Sequence, residues 1–271
     1  MKFRLHLFEF EDQSWFPRVL RAGQMDYLRF MISALGIYRP VASLLAAALH
    51  RTRQSQLLEL GAGAGGGTET VLAALRQQPA APAGLGLLLT DLYPQPAAWA
   101  DVARRTSGAI RGHAAPVDAL HVPADLGGFR VIFSAFHHFA PPQAEALLRD
   151  AVAQGAGIGV FEGAGKSWFE IGLALTVLPV AQLLLTPFFR PFRYNRLIFT
   201  YLLPLIPLTT IWDGVVSIFR MYPPDQLRAL AKRADPTGRY QWQAGQLRHW
   251  WGPRVTYVVG VPAEEQVART L

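Results

Sequence analysis

Short apolar runs punctuate this chain at regular intervals. Residues 57–60, 85–89, 129–133 and 157–161 are each too short for a core helix and apolar throughout or nearly so, as expected of strands buried on both faces. Residues 113–120 read as a further strand, third in chain order. Helix-length segments separate these runs, and the alternation predicts a doubly wound, mostly parallel sheet of an α/β protein. Ahead of the first strand, Val19, Leu20, Met25, Leu28, Ile32 and Leu35 follow helical spacing over 18–35. A second helix is expected over 40–50, where a proline in the first turn costs no hydrogen bond. Further helices are expected over 70–77, 142–154 and 224–231. Residues 240–249 and 255–261 read as a terminal strand pair, with the turn at 250–253.

One region breaks this rhythm. Residues 171–189 and 197–212 form uncharged runs of 19 and 16 residues, separated by a stretch carrying Arg190, Arg193 and Arg196. A bilayer span needs about 20 apolar residues, and Pro179, Pro204 and Pro207 fall inside these runs. Three arrangements fit. They are a transmembrane hairpin with its arginines held on the cytoplasmic side, a monotopic hairpin with those arginines at lipid headgroups, and a pair of helices that roofs an active site or forms a homodimer face. All three imply a hydrophobic ligand pocket. The chain therefore divides into an N-terminal helical cap (1–56), a sheet core (57–165), an apolar helical insertion (166–223) and a terminal helix with its strand pair (224–271).

Candidate chemistry gathers where the first strand ends. Leu57-Leu58-Glu59-Leu60 runs into Gly61-Ala62-Gly63-Ala64-Gly65-Gly66-Gly67 and then a helix beginning near Thr68. Glycines without Cβ let the main chain take positive φ and approach a ligand closely, and the helix turns its unpaired N–H groups toward the same place. The second strand ends in Asp91, whose carboxylate offers two oxygens to a vicinal diol. The fourth runs into Ser134-Ala135-Phe136-His137-His138, and the fifth ends in Glu162. Loops at the carboxyl ends of parallel strands are where such sheets bind ligands.

The strand, acid and Gly-x-Gly-x-Gly of Glu59, Gly61, Gly63 and Gly65 resemble motif I of class I S-adenosylmethionine-dependent methyltransferases. The resemblance implies a Rossmann-like seven-stranded sheet, closed by the terminal hairpin with one antiparallel strand. It implies S-adenosyl-L-methionine as cofactor, with Glu59, Gly61, Gly63 and Gly65 at its methionine end, Asp91 at the ribose and Asp118 at the adenine. The polar residue and histidine pair after the fourth strand resemble small-molecule members of that family, which brings Ser134 toward the cofactor. It makes His137 and His138 candidate bases for a substrate proton. Trp15 and Tyr27 of the cap are candidate substrate contacts. Asp213 and Arg220 either orient the substrate or, with Ser217, form a buried network.

Composition narrows the picture. With 271 residues, half of them apolar, the chain can bury a substantial core. The absence of cysteine removes disulfides, thiolate nucleophiles and cysteine-ligated zinc, and suits a cytoplasmic protein, which would lie at the inner face of the membrane if the insertion touches lipid. No metal site is expected. Residues 1–13 carry Glu9, Glu11 and Asp12 without a continuous apolar core, unlike a secretory signal. The net charge of +7 comes from scattered arginines, not a basic run with aromatics, so nucleic acid is not an expected partner. Gly61-x-Gly63-x-x-Gly66 with Asp91 also satisfies a dinucleotide fingerprint, which leaves two alternatives: an NAD-dependent oxidoreductase, and a methyltransferase-like subunit without activity. The expected function is methyl transfer to a hydrophobic small molecule or lipid-like acceptor.

Overall fold

A computed structural model describes residues 4–190, 192–249 and 253–263. Residues 250–252 of the expected terminal turn lie outside the described residues. Seven strands form one sheet: β1 (Gln56–Leu60), β2 (Gly86–Thr90), β3 (Ile110–Gly112), β4 (Phe129–Phe133), β5 (Ile158–Glu162), β6 (Tyr240–Arg248) and β7 (Arg254–Pro262). Their order is β3-β2-β1-β4-β5-β7-β6. The first five run parallel, while β7 is antiparallel to both its neighbours, pairing Val160 with Val258 and Ala244 with Val258 on its two edges.

Helices cover both faces, which explains the near-continuous apolar strands. Successive residues point to opposite sides. Leu57, Val131 and Phe161 face a layer containing α2 (Ala42–Thr52), α3 (Thr68–Arg76) and α4 (Pro96–Arg105). Leu58, Ile132 and Val160 face α5 (Pro141–Ala153) and α10 (Pro224–Ala234).

The third strand is not where it was expected. It is the short Ile110–Gly112, and the peptide N–H of His113 adds one more bond to Leu89 O (2.9 Å). Residues 113–120 form a loop instead, because Pro116 has no N–H for a ladder and Val117 is buried as a packing contact.

The N-terminal helix α1 (Arg18–Ala34) and the insertion make a separate layer. The insertion holds α6 (Trp168–Leu175), α7 (Val177–Leu185), α8 (Tyr194–Leu197) and α9 (Leu205–Arg220). Leu20 of α1 packs with Ile206 of α9. Gly23 permits that crossing, since a Cβ there would stand 2.4 Å from Ile206 Cδ1. Tyr27 donates a hydrogen bond to Leu178 O (2.8 Å), and Asp26 pairs with Arg196 at 2.6 Å inside the protein. That pair corrects one expectation: Arg196 is buried against an aspartate, not displayed for a lipid headgroup.

The expected pair of long helices is also broken. The first run divides at Thr176 into α6 and α7. The second starts as a π-helical turn at Ile198–Leu202 and bends by 79° before α9, where Pro204 supplies no N–H. Among the described residues, the 21-residue stretch Trp168–Phe188 is long and apolar enough to cross a membrane. Its outer face, with the neighbouring π-turn, leaves Trp168, Leu184, Phe188 and Leu202 each at least two-thirds exposed.

Candidate active site

The carboxyl ends of β1, β2 and β4 enclose a cleft of about 360 Å³, roofed by Met25, Leu28 and Ile32 of α1. The glycine loop forms its floor. Gly61, Gly63, Gly65 and Gly67 all have positive φ, from +52° to +80°. At Gly67, the residue capping α3, a Cβ would also lie 2.4 Å from Ile32 Cγ2. The loop is fixed from both sides: Gly63 N donates to Asp91 Oδ2 (2.8 Å), and Gly63 O accepts from Trp99 Nε1 (2.8 Å).

Glu59, Gly61, Gly63, Asp91, Ser134 and His138 all border this cleft. Glu59 is buried, and its Oε2 accepts a hydrogen bond from Thr68 Oγ1 at 2.8 Å. Burial pushes its carboxyl up to about 8, with Thr68 opposing and Asp91 adding to the rise. Asp91 is engaged at both oxygens, since Oδ1 accepts from Tyr93 N (2.8 Å). Ser134, at a φ of +48°, hydrogen-bonds the Tyr38 hydroxyl and accepts from Gly163 N (3.2 Å), tying the ends of β4 and β5 together.

Other expected site residues stand elsewhere. Gly65 packs under the loop, where a Cβ would meet Leu89 at 3.3 Å and Val102 at 3.4 Å. Asp118 is about half exposed and turned into its own loop, accepting from Leu120 N (2.9 Å); Ala119 borders the cleft instead. Trp15 is exposed and rests on Phe10 and Phe16. Tyr27 is spent on anchoring α7. Neither aromatic borders the cleft.

Asp213 and Arg220 do form a buried network, but their side-chain partners come from the N-terminal segment and α1, not from each other. Asp213 accepts from Phe10 N (2.7 Å), Glu11 N (3.2 Å) and Gln24 Nε2 (3.0 Å). Arg220 Nη1 lies 2.7 Å from Asp12 and 3.1 Å from Glu9. Those contacts carry the acidic segment to the histidine pair, which sits in a 3-10 turn at Phe136–His138.

His137 is buried, with Nδ1 at 2.8 Å from Glu162 Oε2 and its peptide N–H on Glu162 Oε1 (2.9 Å). Burial disfavours the imidazolium, but Glu162 and Glu9 outweigh it and hold the ring up to about 10. His138 faces the cleft. Its Nδ1 is 2.9 Å from Asp12 Oδ1, and its Nε2 is 3.6 Å from Glu11 Oε1. Burial raises Glu11 to about 7, whereas Asp12, although burial opposes it, is held below the usual carboxylate range by His138 and Arg220. Glu9, Glu11 and Asp12 were missed as site residues. Three acids in a largely apolar N-terminal segment were the available signal.

No protein-family model and no curated protein sequence matches the chain. Solved structures do. An O-methyltransferase from neocarzinostatin biosynthesis, solved with S-adenosylhomocysteine and 1,4-dihydroxy-2-naphthoic acid, superposes with a TM-score of 0.51 at 15% identity, over 91% of this chain. The class I methyltransferase fold is shared. The matched region spans 59% of that longer enzyme. A mitomycin 7-O-methyltransferase (15% identity, 94% of this chain and 70% of that one, TM-score 0.48) and human N-acetylserotonin methyltransferase (13%, 89% and 56%, 0.46) are further matches. The reversed β7 between β5 and β6 separates this sheet from the all-parallel dinucleotide-binding order.

Proposed function

We propose that this protein transfers a methyl group from S-adenosylmethionine to oxygen, nitrogen or carbon of a hydrophobic small molecule. The observation that carries the reading is the meeting of Glu59, the positive-φ glycine loop and Asp91 in one cleft at the carboxyl edge of this sheet. The cofactor supplies a methyl group already activated by a positively charged sulfur. The residues fit it: the glycine cradle leaves main chain bare, and Glu59 is a buried acid that burial holds protonated until a cation meets it. In our reading Glu59 receives the ammonium end. Asp91 keeps a second lone pair on each oxygen for the ribose diol, and main chain near Ala119 meets the adenine.

Catalysis then asks for position and dryness more than for a strong base. Met25, Leu28, Phe133 and Phe139 supply an apolar wall. His138, with Glu11 and Asp12 beside it, accepts the acceptor's proton as the new bond forms. His137, locked to Glu162, positions its neighbour. Calorimetry with S-adenosylhomocysteine and with NAD tests the reading. Binding of the first alone supports it, binding of NAD alone overturns it, and binding of neither favours a non-catalytic subunit.

A second observation bears on where the acceptor comes from. The apolar side chains displayed by 168–208 suit a peripheral or monotopic seat on lipid, which would present a hydrophobic acceptor directly. Co-sedimentation with phosphatidylglycerol vesicles, lost in Leu184→Asp/Leu202→Asp, is the expected result. A protein that stays in the supernatant as a stable dimer would assign that face to self-association.

A further inference from the structure

The far end of the cleft holds a group of side chains that methyl transfer alone does not explain. Glu9, His137 and His138 each offer a ligand atom, and these atoms lie within 4.8 Å of one another. Glu9 is fully buried, yet its Oε2 has no hydrogen-bond partner. His137 is 4% exposed, and its Nε2 is likewise unpartnered. His138 Nδ1 lies 2.9 Å from Asp12 Oδ1 and 3.6 Å from Glu9 Oε2. Glu9 Oε2 and His137 Nε2 thus converge on one place, held by charge without a hydrogen bond between them.

The spacing is that of a metal site. Glu9 Oε1 to His137 Nε2 is 3.8 Å, and Glu9 Oε2 to His138 Nδ1 is 3.6 Å. Two donors each about 2.0–2.1 Å from a tetrahedral zinc stand about 3.4 Å apart, so ligand atoms within 4.8 Å of one another draw together by at most about 1.4 Å. The second shell is built as well. Glu162 hydrogen-bonds His137 Nδ1 and anchors its backbone, which leaves Nε2 facing Glu9; a metal bound there takes the place of the Nε2 proton. A carboxylate behind a ligating imidazole sets its tautomer and orientation in the same way.

Arg220 is the obvious competitor. Its guanidinium lies against Asp12 Oδ2 and against Glu9 Oε1, the oxygen that also faces His137, and leaves Glu9 Oε2 and Asp12 Oδ1 on the His138 side. Arg4 supplies a second positive charge, spent on the carbonyls of His137, Phe139 and Arg220. Around them stand five carboxyls, Glu9, Glu11, Asp12, Glu162 and Asp213, of which burial raises Glu11 and Asp213. A dication would replace the proton that Glu162 and Glu9 hold on His137.

We propose that Glu9, His137 and His138 bind a divalent transition metal of the zinc class, with Asp12 Oδ1 or an acceptor oxygen completing the shell. Two imidazoles with a carboxylate favour zinc or its neighbours over magnesium, which prefers oxygen. Because His138 and Asp12 also border the methyl-transfer cleft, the ion faces the acceptor. This role rests on the methyltransferase reading, although the site itself does not. With the metal held, His138 acts as ligand instead of base. A coordinated acceptor hydroxyl passes its proton to Glu11, its oxygen bonds the methyl carbon, and the carbon–sulfur bond breaks with its electron pair left on sulfur.

The test uses the full chain without a histidine tag, stripped with chelator and titrated with Zn²⁺, Co²⁺ or Mg²⁺ by calorimetry and absorbance. The expected result is one equivalent of Zn²⁺, a visible Co²⁺ band of four- or five-coordinate geometry, and no response to Mg²⁺. Glu9→Gln and His138→Ala should each weaken Zn²⁺ at least 100-fold, and Glu162→Gln about 10–100-fold. His138→Ala removes the most exposed member, so its retained circular dichroism separates lost binding from lost folding. Less than 0.1 equivalent in the wild type, or binding indifferent to Glu9→Gln and His138→Ala, overturns the site. S-adenosylhomocysteine bound by metal-free protein that takes up no zinc defeats this inference alone. Zinc without S-adenosylhomocysteine defeats the methyltransferase reading and leaves the site standing.

Discussion

Glu59 makes the proposed cofactor site measurable through protons. Its carboxyl is buried and raised to about 8, so the free protein carries a proton there at neutral pH. An ammonium brought against it stabilises the carboxylate, so the complex gives that proton up. The free state binds more protons than the complex, and affinity must therefore rise with pH, then level off above about 8. If the complex holds Glu59 ionised throughout, the ratio of dissociation constants between pH 6.0 and 7.5 is (1 + 10²)/(1 + 10⁰·⁵). That is about 25-fold, or just under 2 kcal/mol.

Calorimetric titration of S-adenosylhomocysteine at several pH values, in buffers of unlike ionisation enthalpy, reads both affinity and proton release. The expected outcome is nearly one proton released at pH 6.0, falling toward one half near pH 8. Glu59→Gln keeps an acceptor for Thr68 but has no proton to lose, so its affinity should stay low and flat. A wild-type affinity constant within twofold from pH 6.0 to 7.5 would refute the reasoning, because it would mean that no cation meets this carboxylate.

Other perturbations probe separate parts of the structure. Asp91→Ala removes both the hydrogen bond to Gly63 N and the ribose partner, and should weaken S-adenosylhomocysteine by about 1.5–3 kcal/mol; an unchanged dissociation constant would take Asp91 out of the site. Gly67→Ala combines a φ of +80° with a Cβ 2.4 Å from Ile32 Cγ2 and should cost about 2–4 kcal/mol in urea unfolding. Gly84→Ala, at +69° with open space around it, should cost only about 1 kcal/mol, and equal losses would deny the Ile32 contact. Asp26→Ala takes the carboxylate from the buried Arg196 and should destabilise by about 3 kcal/mol. A loss below 1 kcal/mol would show that the pair is not shielded from water.

Much of the sheet was legible because parallel strands covered on both faces must be apolar along their whole length, and Leu57, Leu87, Val131 and Val160 advertise that. The third strand was not, because only Ile110 of its three residues is buried and Arg111 is exposed. A nearby loop with a buried Val117 reads as more strand-like than the strand. The glycine loop and its acids are visible for a local reason, since positive φ and strand-end carboxylates are properties of short segments.

The acidic segment shows where local reading stops. Nothing adjacent to Glu9, Glu11 or Asp12 neutralises them; their partners are Arg220 and the histidine pair, supplied by α9 and the loop after β4. Burial of Glu9 follows only once the N-terminal segment crosses α9, where Phe10 N and Glu11 N bond Asp213. The same logic governs the insertion. Asp26, on α1, gives Arg196 a buried counter-charge and draws the segment between the insertion's two apolar runs onto the core. Sequence periodicity reports which side chains avoid water, but not which charges will be buried together. Here those pairings decide both the far end of the cleft and the path of the insertion.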